Sequence, residues 1–208
     1  MPPPNPFATR FTRPGALPYL YPPGQSAQTL LETLQKSNWQ GEIIGPHGSG
    51  KSSLLAELLP RIGEAGRKVV PISLHQGDRT LPASKSDVKT WNSQTQVVVD
   101  GYEQLSWWSK RRLQGWVKAQ KAGLLITAHQ PMGLPPLFTT QPTLELAQQI
   151  VAQLVKENSD GTGVPSSEEI AAAFTAHGFN LREMLFSLYD VHQQRHAASP
   201  SPPGRGPG

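Results

Sequence analysis

Residues 45 to 52 read Gly45-Pro46-His47-Gly48-Ser49-Gly50-Lys51-Ser52, the spacing G-x-x-x-x-G-K-[ST]. An apolar segment, Trp39 to Ile44, leads into this stretch, and a helical pattern with Leu54, Leu55, Leu58 and Leu59 leaves it. A strand, a glycine-rich turn and a helix in that order form a cradle for phosphate. A phosphate chain needs several backbone N–H groups converging on it, and only residues without Cβ let the backbone curl that closely. Gly45, Gly48 and Gly50 supply that freedom. The helix opening near Lys51 aims its unpaired N–H groups and the positive end of its dipole at the same anion. Lys51 adds a charge for the β- and γ-phosphates, and the Ser52 hydroxyl a ligand for Mg²⁺. Pro46, His47, Ser49 and Ser53 complete the segment expected to contact nucleotide, with His47 at a variable position that carries no chemistry of its own.

The chain has 208 residues and a net charge of +4, yet only 16% of its residues are charged. That length suits one ordinary domain, or a core domain with a small companion. The modest basic surplus is compatible with nucleic-acid contact and does not indicate it. Cysteine is absent, which excludes disulfides, thiolate metal sites and cysteine nucleophiles. No apolar run reaches the about 18 residues of a membrane span, and prolines fill the start where a signal peptide needs an apolar core, so no membrane association is expected and the cytoplasm is the expected location.

Met1 to Pro6 is too rich in proline to pack, and Ser199 to Gly208 has no apolar residue, so both ends are expected to be mobile. Residues 1–24 form a Pro-rich lead-in whose aromatic part, Phe7 to Pro23, reads as an irregular packed segment of the kind that often walls a base pocket. Ser26 can cap a helix running to about Lys36. Pro60 is expected to end or kink the helix that follows the glycine-rich loop. Lys68 to Leu74 reads as a strand that Pro71 confines to a sheet edge, and Asp87 to Asn92 as a short helix after the loop His75 to Ser86. Val97-Val98-Val99-Asp100 has the form of a buried parallel strand with an acid at its tip. Glu103 to Ala122 is helical, with Leu105, Trp108, Leu113, Trp116 and Val117 on the inner stripe and Lys110, Arg111, Arg112 and Lys118 outside. Trp91, Trp107, Trp108 and Trp116 are expected mainly in the core, although aromatics interleaved with those cations could also stack on bases or on a partner protein. Leu124 to Thr127 and Leu137 to Thr139 are further short strands.

Strands alternating with helices define an α/β domain with a mainly parallel sheet, residues 25–141, in a three-layer α/β/α arrangement. Ligands of such sheets lie at the carboxyl ends of the strands, where the glycine-rich loop, Asp100 and Thr127 all fall. Beyond it, residues 142–196 change character. Leu144, Ala147, Ile150, Val151 and Leu154 keep helical spacing, Ser166 and Glu169 open a second helix as a capping box, and Asn180 with Glu183 opens a third. These make a small three-helix subdomain, followed by a tail at 197–208.

With these motifs together the chain resembles the AAA+ P-loop ATPases and their STAND/NACHT relatives over roughly residues 20 to 195. The resemblance implies that Asp100 is the second acidic motif, holding Mg²⁺ through water, and Asp100-Gly101-Tyr102-Glu103 is similar to the NACHT version of it. It places the family's sensor-1 residue at Thr127, with His129 as second choice. Gly178-Phe179-Asn180-Leu181-Arg182 is similar to the sensor-2 pattern, which makes Arg182 the γ-phosphate contact of a helical lid. Most members carry the catalytic glutamate directly after the aspartate. Here Gly101 stands in that place, and Glu103 is the nearest acid that could orient the attacking water. Pro131 to Leu137 has no arginine where ring-forming members carry a finger.

The resulting expectation is a Mg²⁺-dependent ATP-binding protein that hydrolyses slowly and switches its lid with nucleotide state, working with an unidentified protein partner. Lys51, Asp100, Glu103, Thr127 and Arg182 would carry the chemistry. An adaptor that binds nucleotide with little hydrolysis and contacts protein or nucleic acid is the alternative. A small-molecule kinase comes third, because no arginine-rich lid is evident.

Overall fold

The structure is a computed structural model that describes residues 4–159, 161 and 163–198. In chain order the first elements are α1 (Thr9–Thr12), α2 (Ala27–Lys36), β1 (Gln40–Ile44), α3 (Lys51–Glu64), β2 (Lys68–Ser73), α4 (Lys85–Val88) and β3 (Thr95–Asp100). A 3₁₀ turn at Tyr102–Gln104 leads to α5 (Trp107–Gln120), β4 (Gly123–Ala128), β5 (Pro136–Thr139), α6 (Leu144–Asn158), α7 (Ser167–Ala176) and α8 (Leu181–Ala198). The chain divides into two compact units, Leu17–Gln141 and, together, the residues up to Ala16 and those from Pro142 onward.

The first unit holds a five-stranded sheet in the order β2-β3-β4-β1-β5, with every neighbouring pair parallel. Successive strand side chains point to opposite faces, so a strand that is apolar at every position needs cover on both. Residues 97–99 of β3 and 124–126 of β4 meet that condition. Val97, Val99, Leu124 and Ile126 pack on one face with Leu113 and Val117 of α5 and with Trp91. Val98, Leu125 and Ile43 pack on the other with leucines of α2 and α3. The expected α/β/α layering is therefore present. Pro71 sits on β2 at the sheet edge, opposite Val98, where its missing N–H costs no interior ladder bond.

Several local expectations are overturned. Of the two outcomes expected at Pro60, an end or a kink, the end does not occur, since α3 runs on to Glu64. A proline inside a helix costs about 3 kcal/mol. Fully buried Ile62, beyond it, contributes about 1.5–3 kcal/mol of burial that would be lost if the helix stopped there. The short helix lies at Lys85–Val88 rather than Asp87 to Asn92, because Ser84 and Asp87 form a reciprocal capping box that starts it earlier. The segment from Glu103 is not one helix. It makes the 3₁₀ turn first, and Ser106 then caps α5 by accepting from the Ser109 N–H. At about 100° per residue Trp108 stands about 140° from Leu113 and about 180° from Val117, so it falls outside the buried stripe and is 75% exposed, as Trp107 is 62% exposed. Trp91 alone of the four clustered tryptophans is fully buried.

The second unit contains α1, α6, α7 and α8. Ala147, Val151 and Leu154 of α6, Ile170 and Phe174 of α7, and Leu181, Met184 and Leu188 of α8 are its buried apolar residues. Ser166 makes the expected capping box with Glu169, and Asn180 Oδ1 accepts from the N–H groups of Arg182 and Glu183. Asn5 and Pro6 are buried, contrary to the expected mobility of Met1 to Pro6. Asn5 Nδ2 donates to the Tyr189 carbonyl at 3.0 Å, and its Oδ1 accepts from Phe7 N–H, which fastens the segment to α8. Met1 to Pro3 and Ser199 to Gly208 lie outside the described residues. No described helix is long and apolar enough to cross a membrane.

Candidate functional site

The carboxyl ends of β1, β3 and β4 are adjacent in the sheet, and the glycine-rich loop, Asp100 and Thr127 lie there. At the end of β1, Gly45 N–H donates to Ala128 O and Thr140 N–H to Ile44 O, so β4 and β5 pin the base of the loop. A Cβ on Gly45 would run into the Thr140 hydroxyl and lie 2.7 Å from its carbonyl oxygen, so glycine is required there for closeness. Ser49 Oγ donates to Pro46 O at 2.8 Å and lies 2.6 Å from Thr140 Oγ1, closing the loop across itself. Gly48 and Gly50 have φ of 66° and 93°, the left-handed region that spares glycine the usual penalty.

Gly50 is the N-cap of α3, and Lys51 begins the helix. Helix geometry leaves the N–H groups of its first turn without intrahelical acceptors. Lys51 is buried, and its Nζ donates to the Gly45 and Pro46 carbonyls at 2.7 Å each. Its ammonium thus lies inside the loop. Ser52 and Ser53 are half-buried in that first turn, while Pro46 and His47 are exposed.

Thr127, the penultimate residue of β4, is fully buried and its hydroxyl is doubly engaged. It donates to Asp100 Oδ1 at 2.6 Å and accepts from the Gly101 N–H at 2.9 Å. A threonine one strand away therefore aims the aspartate. Gly101 has φ of 81°, and a Cβ there would stand 2.7 Å from the Leu74 carbonyl oxygen. The turn that this glycine allows brings Glu103 back toward β4, where Glu103 Oε1 is 3.3 Å from His129 Nε2. Glu103 Oε2 is buried without a hydrogen-bond partner. The His129 ring in turn stacks obliquely on His47, centroids 3.6 Å apart.

Glu103, His129 and His47 thus form a continuous line from the end of β3 to the glycine-rich loop. The sequence gives His47 no chemistry and His129 only the second claim to the sensor-1 place. The signal was available in part: His129 directly follows the fully buried strand β4, so it had to emerge at the same sheet end as Asp100. His47 acquires a partner only because β4 neighbours β1. Arg182 lies in the helical unit, exposed in the first turn of α8.

Burial is the largest influence on His129 and lowers its pKa; the Glu103 carboxylate raises it, and Lys51 and His47 lower it again. The net shift is downward, so at neutral pH the imidazole beside Glu103 is uncharged. An unfolded chain takes up a proton at this residue near pH 6.5, while the folded chain resists it. The stability contributed by neutral His129 is therefore complete above about pH 6.5 and is lost as pH falls toward the lower folded value. Comparing melting temperatures of the wild type and His129→Gln from about pH 7 to about pH 5 should show the wild type losing ground steadily. A difference that stays constant over that range would contradict this account.

Comparison with known proteins finds no matching family model and no matching curated protein. Among solved structures the chain is similar to NtrX from Brucella abortus in complex with ATP, with 11% identity and a TM-score of 0.60. The match covers 89% of this chain and 55% of that one. The likeness is one of fold, and together with the all-parallel sheet it shows a P-loop-NTPase-like α/β architecture.

Proposed function

We propose that the chain binds ATP with Mg²⁺ at the Gly45–Ser53 loop and hydrolyses it slowly, as a switch of the AAA+/STAND kind. One observation carries this reading. The Lys51 ammonium is drawn into a loop whose first glycine tolerates no Cβ, at the N-terminus of a 14-residue helix, with the Thr127–Asp100 pair at a nearby strand end. Charge neutralisation by Lys51 and the first-turn N–H groups is the larger part of phosphoryl-transfer catalysis. Mg²⁺ would be held by Ser52 and Asp100 and would neutralise charge on the phosphates. Thr127 occupies one aspartate oxygen and so orients the carboxylate. Glu103, with a buried oxygen that no protein group satisfies and a neutral histidine beside the other, suits the role of orienting a water. Tyr19, whose ring edge would stand 3.5 Å from a Cβ placed on Gly50, is near the loop and favours the idea that the lead-in walls the base. The ATP bound to the NtrX neighbour is consistent with the same ligand.

Phosphate release from Mg²⁺-ATP by the purified chain, measured against Lys51→Ala, tests the reading. Binding without release above that control would favour a nucleotide-binding adaptor, to which Gly101 in place of the family's glutamate already points. The lid assignment has its own test. If Arg182 meets the γ-phosphate, Arg182→Ala weakens ATP by roughly tenfold or more and ADP hardly at all, because a charge-assisted contact is lost only where the third phosphate exists. Equal losses in a titration with both nucleotides would remove Arg182 from the site.

A further inference from the structure

Helix α5 turns Ser109, Leu113 and Val117 inward, and its opposite side carries Trp107, Trp108, Arg111 and Lys118 in the open. Trp107 and Trp108 are more exposed than any other large apolar side chain of the described residues, and their rings meet edge to face at 4.5 Å. Two guanidinium groups lie over aromatic faces here, Arg111 over Trp107 at 5.7 Å and Arg112 over Trp116 at 4.9 Å. Trp108, Ser109, Arg111 and Arg112 together line an open depression.

The charge carried by this stretch of the chain is of one sign. From Gln104 to Leu144 the chain has no aspartate or glutamate, while Lys110, Arg111, Arg112, Lys118 and Lys121 are all cations. Among the described residues none of these five forms an ion pair. Solvent-exposed tryptophan is costly to leave uncovered, and an acid-free basic helix raises the local potential for a polyanion. A ligand that suits both must present flat π-faces and closely spaced negative charges in the same repeat.

We propose that the outer face of α5 binds single-stranded nucleic acid, with Trp108 as a stacking platform for a base and Arg111 and Arg112 on the flanking phosphates. A duplex keeps its base faces stacked inside and cannot offer them to an indole, whereas a single strand can. Gly115, one helical turn from Arg111, has open space where a side chain would stand, so a strand can approach the helix backbone there. The inference is independent of the nucleotide reading, since no residue of it belongs to the loop, Asp100, Glu103 or Thr127.

The test is fluorescence anisotropy with labelled oligothymidylate and oligouridylate of about 20 nucleotides, at about 50 mM salt and again at about 200 mM. Binding that quenches tryptophan emission, weakens steeply with salt and prefers single strands to a duplex of equal length is the expected result. Trp108→Ala should lower the affinity by roughly tenfold, and Arg111→Glu with Arg112→Glu should abolish binding. Circular dichroism and ATP titration should match the wild type in both variants. Absence of single-strand binding at the lower salt overturns the proposal. So does a folded Trp108→Ala variant that binds as tightly as its parent, which would reduce the effect to general attraction between charges. Binding of an acidic, tryptophan-containing peptide in place of the oligonucleotides would assign the face to a protein instead.

Discussion

Lys51→Ala should lower ATP affinity by about a hundredfold while leaving the chain folded, as measured by calorimetric titration. Hydrogen bonds that involve a charged group contribute about 1.5–3 kcal/mol, and the upper half of that range corresponds to roughly such a factor. The variant should also melt a few degrees lower. Lys51 donates to the Gly45 and Pro46 carbonyls, and Gly45 is buried, so its oxygen would lose a donor that water replaces poorly. For a domain of this size about 1 kcal/mol moves the midpoint by about 2–4 °C. The two readouts separate the roles of the amine. Loss of stability with ATP affinity unchanged would mean that Lys51 braces the loop and serves no phosphate.

A second large effect concerns the residue after Asp100. Supplying the glutamate that most AAA+ ATPases carry there, by Gly101→Glu, should destabilise the protein by roughly 2–4 kcal/mol and should not accelerate hydrolysis. A φ of 81° costs a residue with Cβ about 1–2 kcal/mol. The overlap with the Leu74 carbonyl adds to this, since Leu74 N–H is itself bonded to Asp100 O and the two segments cannot part freely. Gly101→Ala should be destabilised nearly as much, because the penalty arises at Cβ. Urea denaturation of both variants checks it. A stable Gly101→Glu protein with faster phosphate release would show that the backbone can turn, and that the place after Asp100 is open to a catalytic acid after all.

The same position shows where sequence reasoning stops. That a glycine follows Asp100 is visible in the chain, and so is the nearest acid, Glu103. That Leu74, directly after the edge strand, crowds any side chain at position 101 depends on the register of β2 against β3, in which Ser73 faces Asp100. Likewise Thr127 could be picked as a strand-end polar group, but its bond to Asp100 joins residues 27 apart on adjacent strands. Trp108 joins the inner stripe only through its three-residue spacing from Leu105, and the 3₁₀ turn and the Ser106 cap take Leu105 out of the helix. Asn5 looked unable to pack because its partner, the Tyr189 carbonyl, lies 184 residues away.

By itself the amino-acid sequence determined the elements whose causes are local. These are the glycine-rich loop between strand and helix, the β-branched run ending at Asp100, the proline that confines β2 to an edge, and the Ser166 and Asn180 caps. Each depends on backbone freedom, side-chain period or a hydrogen bond within a few residues. Tertiary structure alone decided how the strands are ordered, and with them which groups meet at the loop. Placing β4 between β1 and β3 sets Thr127 against Asp100 and His129 between Glu103 and His47. These contacts follow from burying both faces of the two central strands, a requirement of the whole sheet that no short stretch of sequence carries.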